Sequence, residues 1–190
     1  DALIMTVLSQ NTSDVNSHRA FSNLRKEFRS WNSVANAPKA KIASAIRIGG
    51  LANVKAKRIR DLLRQILKIR GNLNLAFLAS MNLREAEAWL RSLPGVGPKT
   101  AAIVLCFCFN KPAMPVDTHI FRVSKRLGLL DEKTGYEAAH EKMESIIPAE
   151  DIFSLHVNLI SLGRRICKPR KPKCGECPLN SLCPSAFKIN

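Results

Sequence analysis

Apolar residues along this chain recur at three- and four-residue intervals, the spacing that places them on one side of a helix. No segment alternates apolar and polar residues over the length of a strand, and no Asn-Gly pair marks a hairpin. Residues 2–9 read as a short apolar helix. Thr12-Ser13-Asp14 offers an N-cap to a second helix, in which Val15, Ala20, Phe21, Leu24 and Phe28 share a face. Asn36-Ala37-Pro38 opens a further helical stretch that ends at Gly49-Gly50. The clearest amphipathic pattern covers 53–70, with Ile59, Leu62, Leu63, Ile66 and Ile69 along one side and Gly71 as a stop. Asn82 caps a helix through Leu90. Residues 98–109 are apolar nearly all round and are predicted to be buried, Cys106 and Cys108 among them as small hydrophobes. A loop follows at 110–115, and Asp117 caps a helix carrying Ile120, Phe121, Val123 and Leu127 that Gly128 ends. Two more helices are predicted over 136–147 and 151–165. The pattern predicts an all-α protein of about ten helices with short connections.

One stretch interrupts this regularity, Leu93-Pro94-Gly95-Val96-Gly97-Pro98-Lys99-Thr100-Ala101. Its glycines permit positive φ and close approach of another backbone. Pro98 suits the first position of a helix, where its missing N–H costs nothing. The amides of Gly95 and Gly97, with the first turn of the next helix, are then expected to face outward as a phosphate site. Lys99 lies one residue into that helix, at the positive end of the dipole. A plain tight turn with a solvated lysine would also use these residues.

Charge sharpens the reading. Thirty Lys+Arg against fifteen Asp+Glu give +15 at pH 7, and 46% hydrophobic residues leave ample material for a core. Such an excess repels itself and is commonly offset by a polyanion; nucleic acid leads, and an anionic membrane surface trails. No apolar run reaches the length of a membrane span and no secretory signal is visible. Aromatic residues make up only 6% of the chain, which argues against stacking platforms for single strands. The chain begins at Asp1 inside an apolar pattern without a methionine, so a trimmed form of a longer protein is expected.

Cys167, Cys174, Cys177 and Cys183 form a Cys-x6-Cys-x2-Cys-x5-Cys pattern. Without a secretory signal, ligation is favoured over disulfides. Four thiolates suit tetrahedral zinc and an iron–sulfur cube alike, although zinc ribbons usually carry two Cys-x2-Cys pairs and only Cys174 and Cys177 form one. Arg164, Arg165, Lys168, Arg170, Lys171 and Lys173 crowd the first half of this segment, as a solvated run or a phosphate-contacting face. His18, His140 and His156 lie on helical patterns without matching partners and read as surface or core residues. The span from Lys99 to Pro115-Val116-Asp117-Thr118-His119 is one helix and a short loop, which can return a carboxylate to the side of the amine.

Leu93–Ala101, together with Pro115-Val116-Asp117-Thr118-His119-Ile120-Phe121-Arg122-Val123, resembles the helix-hairpin-helix–Gly/Pro–Asp superfamily of DNA glycosylases, and within it the endonuclease III branch. The four-cysteine spacing agrees, as do Leu8-Ser9-Gln10-Asn11-Thr12-Ser13-Asp14 and Ile48-Gly49-Gly50-Leu51 before the long basic helix. The resemblance covers essentially the whole chain. It implies two helical domains with the active site in the cleft between them. Residues 1–111 would be a six-helix barrel with the helix-hairpin-helix at about 90–101, and 112–190 a helical domain ending in a [4Fe–4S] cluster loop at 167–183. The family's opening helices are expected to be missing.

The roles implied are specific. Lys99 matches the lysine that attacks C1′ of a flipped-out nucleotide, expels the base and forms a Schiff base, after which β-elimination nicks the strand. Asp117 matches the aspartate that stabilises the sugar cation and helps activate the lysine; it can also be a helix cap. Gly95, Val96 and Gly97 would hold a phosphate, and His119, matching a family position beside the aspartate, would belong to the DNA-binding surface through a supporting hydrogen bond rather than by proton transfer. Asn11, with Gln10 adjacent, and Leu51 match the residues pushed into the vacated base stack; for Leu51 the alternative is a buried contact after Gly50. Arg164, Lys168, Arg170, Lys171 and Lys173 would contact the DNA backbone, and Cys167, Cys174, Cys177 and Cys183 would ligate the cluster.

The implied partner is double-stranded DNA with a damaged base or abasic site, bound by a monomer, in the cytoplasm of a prokaryote or in the nucleus or an organelle of a eukaryote. Oxidised pyrimidines such as thymine glycol are the default substrate, with uracil or thymine mispaired with guanine as runner-up. The adenine-removing branch places an acid in the first helix, where 3–8 has none, and a mismatch branch replaces the lysine by tyrosine. A non-catalytic helix-hairpin-helix scaffold is the reading of another class, and it would not need the Lys99/Asp117 pair.

Overall fold

The computed structural model describes residues 1–189. Among them ten α-helices are joined by short 3₁₀ turns and loops, with no strand. They are α1 (Ala2–Ser9), α2 (Asp14–Glu27), α3 (Trp31–Asn36), α4 (Lys39–Ala45), α5 (Ala52–Arg70), α6 (Leu83–Arg91), α7 (Pro98–Phe109), α8 (Thr118–Arg126), α9 (Ala138–Ile146) and α10 (Ile152–Arg165). The all-α expectation holds.

The chain divides into two compact units, one of residues Asp1–Val104 and one from Leu105 onward. The divide falls within α7, earlier than the sequence-based boundary at 111, because Cys106 already belongs to the core of the second unit with Met114, Val116, Ile120 and Val123. Residue 190, the last of the sequence-based second domain, lies outside the described residues.

In the first unit α5 is the spine, packed by α1, α3 and α4. Ile59, Leu62, Leu63 and Ile66 form its buried stripe, and Gly71 closes it with φ 72°, a left-handed conformation that glycine adopts freely. Ile69, expected on that stripe, is exposed, because the helix outruns the elements packed on it. Val15 is likewise exposed; it sits in the first turn of α2, whose buried positions are Ser17, Ala20 and Leu24. Ser13 caps α2 by accepting from Asn16 N, and Asn82 caps α6 in a reciprocal pair with Glu85. The helix α3 is absent from the sequence reading. It is six residues long and rests on a Ser30–Ser33 capping box, too short for a periodic signal.

In the second unit α8 packs on α10. Gly163 makes their close approach possible: a Cβ there would lie 2.9 Å from the His119 Cβ. Phe107 and Cys108 correct the expectation that α7 is buried all round, since both are exposed. Phe107 stacks edge-on against Phe153 and His156 at ring distances of 5.1 and 5.4 Å.

Candidate active site and cluster loop

The hairpin between α6 and α7 forms as the sequence suggests, with one difference. Gly95 has φ 78°, whereas Gly97 keeps a conformation open to other residues. Nothing lies within 4 Å of where a Gly97 Cβ would be, so the surface above it is open. The amides of Gly95 and Gly97 have no acceptor among the described residues, and those of Lys99 and Thr100 are orphan donors of the first turn of α7. Four N–H groups without a backbone acceptor thus fall between residues 95 and 100 at one helix start, where the dipole also favours an anion. Val96 contributes differently. Its side chain is buried and its N–H donates to Leu93 O at 3.2 Å, anchoring the turn from beneath. Lys99 is exposed in that first turn.

Two residues missed by the sequence reading support this surface. Arg58 of α5 lays its stem against Gly95 and donates from Nη1 to Gln10 Oε1 at 2.8 Å. Gln10 in turn reaches Thr100 Oγ1 at 3.4 Å and Gly95 O at 3.5 Å through Nε2. Gln10 is thus tied to the hairpin, while Asn11 is exposed at the loop tip with φ 52°. Leu51 is 54% exposed with φ 49°, which excludes the buried-contact alternative. The second missed residue, Lys55, is buried beneath the loops that present Asn11 and Leu51. Nothing in a periodic pattern distinguishes such a lysine from a solvated one.

In the second unit Asp117 is buried and caps α8, accepting from Ile120 N at 2.8 Å. The three residues before it are held almost atom by atom. Met114 N donates to Glu144 Oε1 at 2.9 Å, and His140 Nδ1 lies 2.9 Å from Met114 O. His156 Nδ1 lies 2.9 Å from Pro115 O, and the Tyr136 hydroxyl donates to Val116 O at 2.8 Å. Burial, and secondarily the Asp117 carboxylate, pushes the Tyr136 phenol up, so it stays a donor. His140 and His156 are therefore core residues with a task, since they grip the strand of chain that delivers Asp117. His119 sits at the α8–α10 crossing, with Nδ1 3.2 Å from Arg122 Nη2.

Cys167, Cys174, Cys177 and Cys183 are free thiols, all half-buried, and they surround one cavity with Leu127, Leu162, Ile166 and Pro172. Among the described residues no three thiol, imidazole or carboxylate groups converge tightly enough for a single ion. Four thiols lining one cavity supply the donor set that an iron–sulfur cluster takes. Arg126 donates to Cys167 Sγ at 3.3 Å, to Lys168 O at 2.7 Å and to Pro169 O at 2.9 Å. Arg122, one turn earlier on α8, donates to Cys167 O at 3.0 Å and to Gly163 O at 2.8 Å. The two arginines supply positive charge beside the Cys167 sulfur and fix the start of the loop. Arg164, Lys168, Arg170 and Lys171 are exposed. Lys173 is exposed too, but its ammonium pairs with Glu176 at 2.9 Å.

Residues 4–149 match the model of the HhH-GPD superfamily base excision DNA repair proteins. The chain belongs to that superfamily. Residues 167–183 match the iron-sulfur binding domain of endonuclease III. Endonuclease III of Thermotoga maritima is 37% identical over 95% of this chain and 80% of its own length. That of Escherichia coli is 34% identical over 100% and 85%. An Arabidopsis thaliana protein named as a DNA glycosylase is 37% identical over 94% of the chain, which spans 64% of that relative. A trapped endonuclease III–DNA covalent intermediate superposes with a TM-score of 0.85 at 33% identity, covering 98% of this chain and 84% of that one. A thermostable thymine-DNA glycosylase gives 0.84 at 28% identity, covering 99% and 84%. The protein is thus a base-excision-repair DNA glycosylase and AP lyase of the endonuclease III branch, with a [4Fe–4S] cluster. Among the described residues no helix is long and apolar enough to cross a membrane.

Proposed function

We propose that Lys99 is the nucleophile and Asp117 its carboxylate partner in removing oxidised pyrimidines, such as thymine glycol, from duplex DNA. The observation that carries this reading is an exposed amine one residue into α7, directly after a turn whose amides are unpaired. Those amides take a phosphate of the damaged strand, and the amine then meets the sugar attached to it. The base must leave the stack for C1′ to be reached. The Lys99 lone pair forms a bond to C1′ while the glycosidic bond breaks and the base departs with its electron pair. Ring opening gives a protonated imine, loss of a C2′ proton follows, and the 3′ phosphate leaves by β-elimination. Asp117 offsets the positive charge that develops on the sugar.

Asn11, with Gln10 beside it, and Leu51 fill the emptied stack, supported by the exposure of Asn11 and Leu51 on left-handed turns. Arg164, Lys168, Arg170 and Lys171 contact phosphates, Lys173 less so, and His119 holds Arg122 in place. Cys167, Cys174, Cys177 and Cys183 would ligate the cluster, which would shape the loop rather than carry bond chemistry. In this reading residues up to about 111 act as the barrel and the rest as the cluster-bearing domain, working as a monomer on chromosomal DNA: in the cytoplasm of a prokaryote, or the nucleus or an organelle of a eukaryote.

The likeness to a thymine-DNA glycosylase supports a second reading, removal of uracil or thymine opposite guanine. Lys99 in place of tyrosine weighs against it. Duplexes carrying thymine glycol, uracil, mispaired thymine and 8-oxoguanine separate the two, with fastest turnover expected on thymine glycol. Borohydride trapping on abasic DNA tests the nucleophile: the parent crosslinks and Lys99→Gln binds without crosslinking. Equal trapping by both removes Lys99 from the mechanism.

A further inference from the structure

The two loops assigned above to filling the base stack come from different parts of the first unit, and one buried cation joins their bases. The first follows α1, which ends at Ser9 before the turn through Gln10 and Asn11. The second follows the 3₁₀ turn Arg47–Gly49 and passes through Gly50 at φ 68° into Leu51. Lys55, in the first turns of α5, is 1% exposed, and its ammonium donates to Leu8 O and to Gly49 O, each at 2.7 Å. Leu8 lies in the last turn of α1, where carbonyls lack helical partners and the dipole favours a cation. Gly49 is also packed closely on α2, since a Cβ on it would sit 3.0 Å from the Ala20 Cβ. The second loop therefore starts from a residue that both α2 and Lys55 hold.

Packing alone does not account for a lysine here. Among the described residues no carboxylate pairs with it, and burial lowers its pKa from the ordinary 10.5. An apolar side chain of similar length would fill the same volume without desolvating an amine. What an apolar chain lacks is a donor that reaches two carbonyls at once. Asn11 and Leu51 both hold left-handed backbone conformations, which asparagine adopts readily but a leucine only when its surroundings fix it.

Resting on the stack-filling roles proposed above, we infer that Lys55 is a positioning residue that sets the spacing of the Asn11 and Leu51 loops, so that both enter the duplex together. Arg58, three residues further along α5, restrains Gln10 of the first loop in the same way, so a single helix indexes both insertions.

The test compares an abasic site in a duplex with the same site in a single strand, where no stack has to be opened. Lys55→Met is expected to slow strand nicking in the duplex about tenfold. It should also suppress the fluorescence rise of a 2-aminopurine placed opposite the site, while single-strand nicking stays near the parent rate. In a Leu51→Ala background, Lys55→Met should add little further loss. Equal slowing on both substrates, or no slowing on either, overturns the inference. If Lys55→Met does not fold, Lys55→Arg carries the same comparison with the same expected split, because a planar guanidinium cannot reproduce both short contacts. Unchanged duplex nicking and fluorescence in Leu51→Ala and Asn11→Ala would refute the stack-filling reading itself. Losses in those two variants, with none in either Lys55 variant, would refute only the role of Lys55.

Discussion

Asp117 Oδ1 accepts a hydrogen bond from Ile120 N at 2.8 Å, so the carboxylate assigned to catalysis is also the cap that starts α8. The two tasks can be separated because asparagine caps a helix about as well as aspartate. Asp117→Asn should keep the melting temperature close to the parent while slowing base removal about a hundredfold. Asp117→Ala should lose the same activity and about 1 kcal/mol of stability. Parent-like turnover in Asp117→Asn, measured in single-turnover assays, would leave the residue as a cap alone.

The two hairpin glycines should fail in different ways. Gly95 has φ 78°, and a Cβ there would stand 3.1 Å from Arg58 Cδ, so Gly95→Ala is expected to cost about 1–2 kcal/mol of stability. Gly97 has open space and no positive φ, so Gly97→Ala should fold normally. Its methyl would project where a phosphate has to approach, and DNA affinity should fall. Thermal unfolding beside a binding titration distinguishes the two, and a destabilised Gly97→Ala would contradict the assignment.

Charge on the cluster loop is unequally available. Lys171 is exposed, whereas the Lys173 ammonium is held by Glu176. Lys171→Gln should reduce the slope of log affinity against log salt by about 0.9, the value for one phosphate contact. Lys173→Gln should change it less, and neither should alter lesion choice. Equal slopes in the parent and both variants would place the loop away from DNA.

Lys55 gives a pH dependence whose sign is fixed. Burial depresses its folded-state pKa below 10.5, so between the two values the unfolded chain holds more protons than the folded one. Stability therefore rises with pH across that window and is flat with respect to this group below it. Melting temperatures of the parent and Lys55→Met, followed from pH 7 toward 10, should differ in slope in that direction. Parallel curves would mean that the group does not titrate differently on folding.

Helix positions were largely legible in the chain because caps and stops carry local signals: Ser13, Asn82, Asp117 and Gly71 act where expected. The family's motif segments were legible for a similar reason, since their spacing is local. Residues that work through distant carbonyls were not. Lys55 occupies an ordinary polar slot of an amphipathic helix, and only the folded path of α1 shows it to be enclosed. His140, His156 and Tyr136 bind the backbone of 114–116 across 20 to 41 residues of sequence, a relationship no periodicity records. Phe107 and Cys108 were misplaced because an apolar helix looks the same whether every side or only part of it is covered.

The absence of a side chain at Gly163 reaches beyond the helix crossing it permits. Arg122 and Arg126, on the helix brought in so closely, hold the backbone from which the first cysteine projects. With the cysteines holding the cluster as proposed, a methyl group at 163 is expected to show as poor iron retention, a maturation defect arising from a residue that never touches the metal.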